Sequence, residues 1–210
     1  MTAVEPRSLR QLVPIEIAIV IAAAIAPLPE RLPVVVPLLV AALASRALRR
    51  RGWAEVLRGD ALHALIGAAA GACALVLALA LGTLALEAAL DRAIEWSRFA
   101  VVRGSATQLL AVTVFVGALA AASELVLRAW IVDRVLELAP SQRVLAVRTG
   151  ALAEAAIEGD TLTARIGAFA FGLGLGWIYI AAGRNAIAPI CARLAFEVGA
   201  VVLEATRVIS

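Results

Sequence analysis

Long apolar blocks broken by short charged clusters organise this chain from one end to the other. A helix rising about 1.5 Å per residue needs roughly 20 mostly apolar residues to cross a hydrocarbon core of about 30 Å. Six stretches meet or approach that length, and a seventh is marginal. The first predicted span covers 12–28 and contains Glu16; Pro27, Pro29 and Pro33 then turn the chain into a second, 32–48, so that 12–48 reads as an N-terminal helical hairpin. The third span, 61–86, has the cleanest pattern, and the fourth runs over 108–132 past Ser123, Glu124 and Arg128. The marginal fifth, 144–157, carries Arg148 and Glu154; the sixth is 166–182, and the seventh, 186–203, contains Arg193 and Glu197. Between the third and fourth the pattern changes. Over 87–105, Leu90, Ile94, Phe99 and Val102 recur among Asp91, Arg92, Glu95, Arg98 and Arg103, predicting an amphipathic helix on the membrane surface with Trp96 near the headgroups. The fold class predicted is therefore all-α: a polytopic transmembrane bundle of six to eight spans plus one surface helix, with 1–210 as a single integral membrane domain.

Small residues sharpen that picture. Gly67 and Gly71 stand four apart on the third span, and Gly172 and Gly176 repeat the spacing on the sixth, so each pair presents a face on which another helix can approach closely.

Composition agrees with the pattern. Hydrophobic residues make up 63% of the chain and the mean hydropathy is +0.96, more apolar surface than a soluble domain of this length can bury. All 19 basic residues are Arg, and the formal charge is only +3. The arginines cluster at span ends, where they set topology, and a nucleic-acid partner is not expected. A cytoplasmic N-terminus places Arg46 to Arg58, Arg134, Arg143 and Arg184 on the cytoplasmic side, leaving Arg31, Arg92, Arg98, Arg103, Arg165 and Arg207 opposite. Ala26-Pro27-Leu28-Pro29 is a poor cleavage site, so the first apolar stretch reads as a span and not as a signal peptide. Cys73 and Cys191 both fall in apolar segments, with no Cys-x-x-Cys pair and no disulfide framework.

Charge inside the membrane is the main pointer to function, because it costs at least about 2.5–3.5 kcal/mol per group at mid-membrane. The deep candidates are Glu124, Arg128, Glu154, Glu158, Arg193 and Glu197. Glu124 and Arg128 share a helix face at i,i+4, and Arg193 and Glu197 repeat that spacing with the signs reversed. Two readings are open: an ion-pair network of Glu124, Arg128, Glu158, Arg193 and Glu197 that fixes helix register, or a polar cavity for a ligand. His63 is the only histidine, at the start of the third span, which excludes a His-rich zinc site within one chain; no metal and no cofactor is expected.

Three segments carry a family resemblance. Ser123-Glu124-Leu125-Val126-Leu127-Arg128 resembles the Glu-Glu-x-x-x-Arg motif of the CAAX protease and bacteriocin-processing (CPBP) family of intramembrane endopeptidases. The glycine-rich stretch from Phe169 to Gly183 is similar to the helix before that family's last motif, and Ala188-Pro189-Ile190-Cys191-Ala192-Arg193-Leu194-Ala195-Phe196-Glu197 sits where the family has Pro-Ile-x-x-His-x-x-x-Asn. Order and spacing agree over 117–201, about 40% of the chain. The resemblance implies a bacterial inner (cytoplasmic) membrane protein in which glutamate and histidine would activate a water. This chain departs from the pattern: Ser123 replaces the first glutamate, Glu158 falls near the middle histidine, and Arg193 and Glu197 replace the last histidine and the asparagine. Arginine cannot act as a base near neutral pH.

Three functions follow as expectations. The first is a non-catalytic CPBP-like subunit or chaperone that binds another transmembrane protein within the lipid bilayer. The second is an endopeptidase cutting a membrane-embedded or lipidated peptide, with Glu124, Arg128 and Glu158 as its catalytic positions. The third is transport through a polar cavity, against which stands the lack of an inverted repeat.

Overall fold

The computed structural model describes residues 13–25, 33–82, 100–158 and 161–206. All regular structure among them is helical. In chain order these are α1 (Val13–Ile25), α2 (Val35–Leu48), α3 (Ala61–Leu77, continued by a π-helical stretch Ala78–Gly82), α4 (Ala106–Leu138), α5 (Arg143–Glu158), α6 (Leu162–Ala181) and α7 (Ile187–Ala205). Among the described residues, three stretches are long and apolar enough to cross a membrane: Ala61–Ala80, Ala106–Leu138 and Leu162–Ala181. The protein is an all-helical, multi-pass membrane bundle. Most of the predicted surface helix, with Trp96, lies outside the described residues, as do Pro27, Pro29, Arg7, Arg10, Arg31, Arg92, Arg98 and Arg207; of 87–105, residues 100–102 form a short 3₁₀ turn.

Helix starts follow local chemistry more closely than the apolar runs do. Asp60, Ser105 and Thr161 are N-caps whose side chains accept the N–H of His63 (3.0 Å), Gln108 (3.3 Å) and Ala164 (3.2 Å). These caps start α4 at Ala106 and α6 at Leu162, ahead of the predicted 108 and 166, because a capped first turn tolerates polar residues. The His63 N–H also holds the Asp60 carboxylate below its ordinary pKa range. Pro14, Pro37 and Pro189 all lie in the first turn of their helices, where a missing N–H leaves no hydrogen bond unmade.

The fourth helix runs six residues beyond its predicted end at 132. Asp133, Arg134 and Glu137 lie in that extension, and each is ion-paired in the bundle, so charge does not end the helix. A π-helical stretch at Leu127–Val132 widens the turn there. From Val126 to Leu136 every residue is buried, which makes the second half of α4 the core of the bundle. Around it α2, α5 and α7 pack, α6 covers α5, α3 covers α7, and α1 lies against α2 and α5.

The α3–α7 contact is the tightest. A Cβ on Gly67 would overlap the Ala188 carbonyl oxygen, and one on Gly71 the Ala192 carbonyl oxygen, so two backbones touch at i,i+4 spacing on both helices. On α6, a Cβ at Gly176 would come within 2.9 Å of Val147 on α5.

One end of the bundle gathers the loop after α2, the end of α4 and the turn between α6 and α7. The Ala186 N–H donates to the Val56 carbonyl (2.7 Å), and the Asn185 side-chain amide donates to the Arg58 carbonyl (2.9 Å). Gly183 and Arg184 both take left-handed backbone conformations, φ 69° and 67°, to make that turn. The Arg184 guanidinium, 2.8 Å from Asp133, holds a conformation an arginine rarely adopts. Arg46, Arg49, Arg51, Arg58, Arg134, Arg143 and Arg184 belong to this end, whereas Arg103, paired with Glu204 at 3.5 Å, lies at the other.

Replacing Gly71 with Leu is expected to cost about 1–3 kcal/mol or to abolish folding, since the backbone of α7 would have to move. Gly167→Leu, with open space around its Cβ position, should leave stability unchanged. Thermal unfolding of the two variants in mild detergent checks the difference.

Candidate functional site

Charged residues from α4, α5 and α7 converge on one point in the bundle. Arg193, on the inner face of α7, is 2% exposed and touches four carboxylates. Its Nη1 donates to Glu124 (3.0 Å) and Glu154 (2.9 Å), its Nη2 to Glu158, and its Nε to Glu197 (2.7 Å). The second guanidinium, Arg128, is fully buried; its Nε lies 3.2 Å from Glu124 and its Nη2 donates to Glu154. Glu124 and Glu154 therefore each span the two arginines, one oxygen apiece, closing a ring of four groups. Glu158 and Glu197 complete the cluster at its rim.

Local structure explains the convergence. Glu124 and Arg128 lie at i,i+4 just where α4 passes into its π-helical stretch, and Glu154 and Glu158 lie at i,i+4 on one face of α5. Glycines open the space. A Cβ on Gly172 of α6 would come 2.5 Å from a Glu154 oxygen, and one on Gly150 of α5 would come 2.9 Å from Val132 and 3.6 Å from the Arg128 guanidinium. Gly172 thus does more than pack helices: it leaves room for a buried carboxylate.

The electrostatics are uneven. With all six groups ionised, four carboxylates face two guanidiniums, a formal excess of two negative charges. Glu124 and Glu154 are fully buried and each meets both arginines, while the Glu158 and Glu197 side chains, 30% and 27% exposed, each meet Arg193. The excess therefore sits at the rim, where screening is strongest, and the interior of the cluster is balanced.

This arrangement sequesters Glu124 and Glu154, which are fully buried. Among the described residues, the crevice beside α1 and the one between α3 and α6 are lined by none of the six groups. Ser123 is buried beside Glu124 in sequence, on a neighbouring strip of α4. His63 Nδ1 is 2.6 Å from Asp60, on the exposed start of α3 and on a helix turn that the cluster does not include. Cys73 and Cys191 are both free thiols. No group of three or more His, Cys, Asp or Glu able to hold a metal occurs among the described residues.

Two further polar sites escaped the sequence reading. Toward the arginine-rich end, Glu16 of α1 accepts from Ser45 Oγ (2.5 Å) and from Arg49, and lies 3.3 Å from Arg134. Glu137 in turn pairs with Arg134 and Arg51, and the Trp130 indole N–H donates to Ser45 (3.2 Å). Beside this network Arg46 donates to the carbonyls of Ala129 (3.2 Å) and Gly52 (2.7 Å) and stacks over Trp53 at 4.6 Å. Glu16 was legible as a charge within a span, but its partners come from two other segments, the end of α2 and the end of α4. The second site is Asp133, which accepts from the Tyr179 hydroxyl (2.8 Å) and from Arg184 Nε (2.9 Å).

Comparison of the chain with protein-family models, with curated proteins and with solved structures returned no match.

Arg193→Leu strands four carboxylates around one arginine and is expected to cost about 3–5 kcal/mol, measured by unfolding in mild detergent. Arg193→Lys should not restore the loss, since a single ammonium cannot fork to groups on three helices. Glu197→Gln, at the rim, should cost under about 1 kcal/mol.

Proposed function

We propose that this chain is a CPBP-like intramembrane protein in which an ion-paired core stands where related enzymes hold a reactive water, and that it acts as a non-catalytic subunit or chaperone for another transmembrane protein. The observation that carries this reading is the position of Arg193. The resemblance puts a histidine there; in this chain a guanidinium reaches Glu124, Glu154, Glu158 and Glu197 together. A general base needs a free lone pair aimed at a water, and a base near its working pKa. Glu124 instead accepts from Arg193 at Oε1 and has Oε2 3.2 Å from the Arg128 Nε. The alternative, an endopeptidase using Glu124 and Glu158, requires Arg193 to withdraw from both.

The same reading includes the membrane arrangement. We propose six to eight spans in a bacterial inner membrane, with α1, α2, α5 and α7 counted among them although they are shorter or more charged than the three apolar helices. The arginines gathered at the end where α1 begins favour a cytoplasmic N-terminus. Partner binding is supported by the apolar face of α3, where Leu62, Leu65 and Ile66 are all more than half exposed.

Two experiments test this. Purified protein incubated with a broad panel of membrane-embedded and lipidated peptides is expected to cleave none; cleavage abolished by Glu124→Gln would establish the peptidase instead. Isolation in mild detergent is expected to yield a stoichiometric complex with one membrane protein, and recovery of bare monomer from its native membrane counts against the subunit role. For topology, a cysteine at Arg143 in a chain lacking Cys73 and Cys191 should be labelled only from the cytoplasmic side, and one at Arg165 only from the other.

A further inference from the structure

A crevice of about 330 Å³ opens between α1, α5 and the π-helical stretch of α4, and it shares no residue with the Arg193 cluster. That volume falls in the range of small-molecule sites. Its walls are apolar: Ile17 and Val20 on α1, Ile131 on α4, and Leu152, Ala153 and Ala156 on α5. Leu152 is 61% exposed and Ala156 is exposed, so the crevice opens sideways, toward the surface that meets lipid. From Thr149 to Ala156 it follows two turns of α5, about 10 Å along the helix axis.

Trp130 joins those aliphatic walls, and Glu16, Arg134 and Thr149 close the crevice at the arginine-rich end of the bundle. There Arg134 pairs with Glu16 and Glu137, so the charges that line the crevice answer one another. Arg148 is a further cation beside it. It is exposed, it makes no ion pair among the described residues, and it precedes Leu152 by one turn on the same face of α5. An arginine so placed on a helix face that meets lipid extends its charged tip toward the headgroup layer.

We propose that this crevice is a binding site for an anionic phospholipid: one acyl chain fills the groove from Thr149 to Ala156, and the phosphate lies against Arg148 at the arginine-rich end. An acyl chain matches the aliphatic walls and the lateral opening. Arg148 selects the headgroup, because each basic residue near the membrane surface favours an anionic lipid about fivefold.

The test uses the full chain, purified in mild detergent from vesicles holding equal amounts of phosphatidylglycerol and phosphatidylcholine with matched acyl chains, and read by native mass spectrometry. Wild type is expected to retain one lipid, with phosphatidylglycerol favoured about fivefold. Arg148→Gln should bring that ratio near one while keeping the lipid, and Ala153→Phe, which fills the groove, should remove it. Equal retention of both lipids by wild type, an unchanged ratio in Arg148→Gln, or full retention in a folded Ala153→Phe overturns the proposal. Should Ala153→Phe fail to fold, phosphatidylglycerol with a photoactivatable acyl chain decides on wild type. Crosslinks to α1 and to 149–156 support the site, and crosslinks confined to other helices overturn it.

Discussion

A guanidinium in the middle of a helix bundle imposes terms on everything around it. Arg193 cannot shed its proton to lower its cost, so burial requires acceptors on every side. Three helices supply them: Glu124 from α4, Glu154 and Glu158 from α5, and Glu197 from α7 itself. Once those helices are drawn together, their separations and rotations are set. A buried ion pair adds little net stability compared with an apolar replacement, but a half-broken one is very costly. The cluster therefore acts as a lock on register more than as a source of stability.

The neighbouring features read as consequences of that lock. Arg128 can sit at zero exposure because Glu124 and Glu154 each have a second oxygen to offer it. Gly172 is the residue that lets the Glu154 carboxylate occupy space between α5 and α6, and Gly150 lets Val132 of α4 lie close against α5. The carbonyl-to-glycine contacts of Gly67 and Gly71 draw α3 against the outer face of α7 and so back the helix that carries Arg193. Within a bilayer, where apolar burial gives helices little reason to associate, close backbone packing and satisfied charge are the main forces available.

The arginine-rich end follows a different rule. There the Glu16–Arg49–Arg134–Glu137–Arg51 chain and the Asp133–Tyr179–Arg184 group join α1, α2, α4 and α6 near the surface, where guanidiniums reach water or headgroups more readily. Arg184 shows the strength of these contacts, since its left-handed backbone is held in place by Asp133. The bundle thus has a polar lock at mid-depth, a basic collar at one end, and between them an apolar crevice beside α1.

The sequence by itself determined that this is a membrane protein and that it is helical, because apolar runs of about 20 residues admit few other structures. It also placed unusual charge on three helices, and it paired Glu124 with Arg128 and Arg193 with Glu197, since i,i+4 neighbours meet whatever the fold. It marked the close-packing glycines Gly67, Gly71, Gly172 and Gly176, but not what each would touch. Tertiary structure decided the rest. That Glu154 joins both arginines, that Glu16 meets Arg49 and Arg134, and that Gly172 shelters a carboxylate all depend on helix rotations and neighbours. Those contacts join residues 18 to 118 positions apart, and local spacing carries no information about them. The continuation of α4 through Asp133 and Arg134 belongs to the same class, since a charge ends a span only when nothing across the bundle answers it.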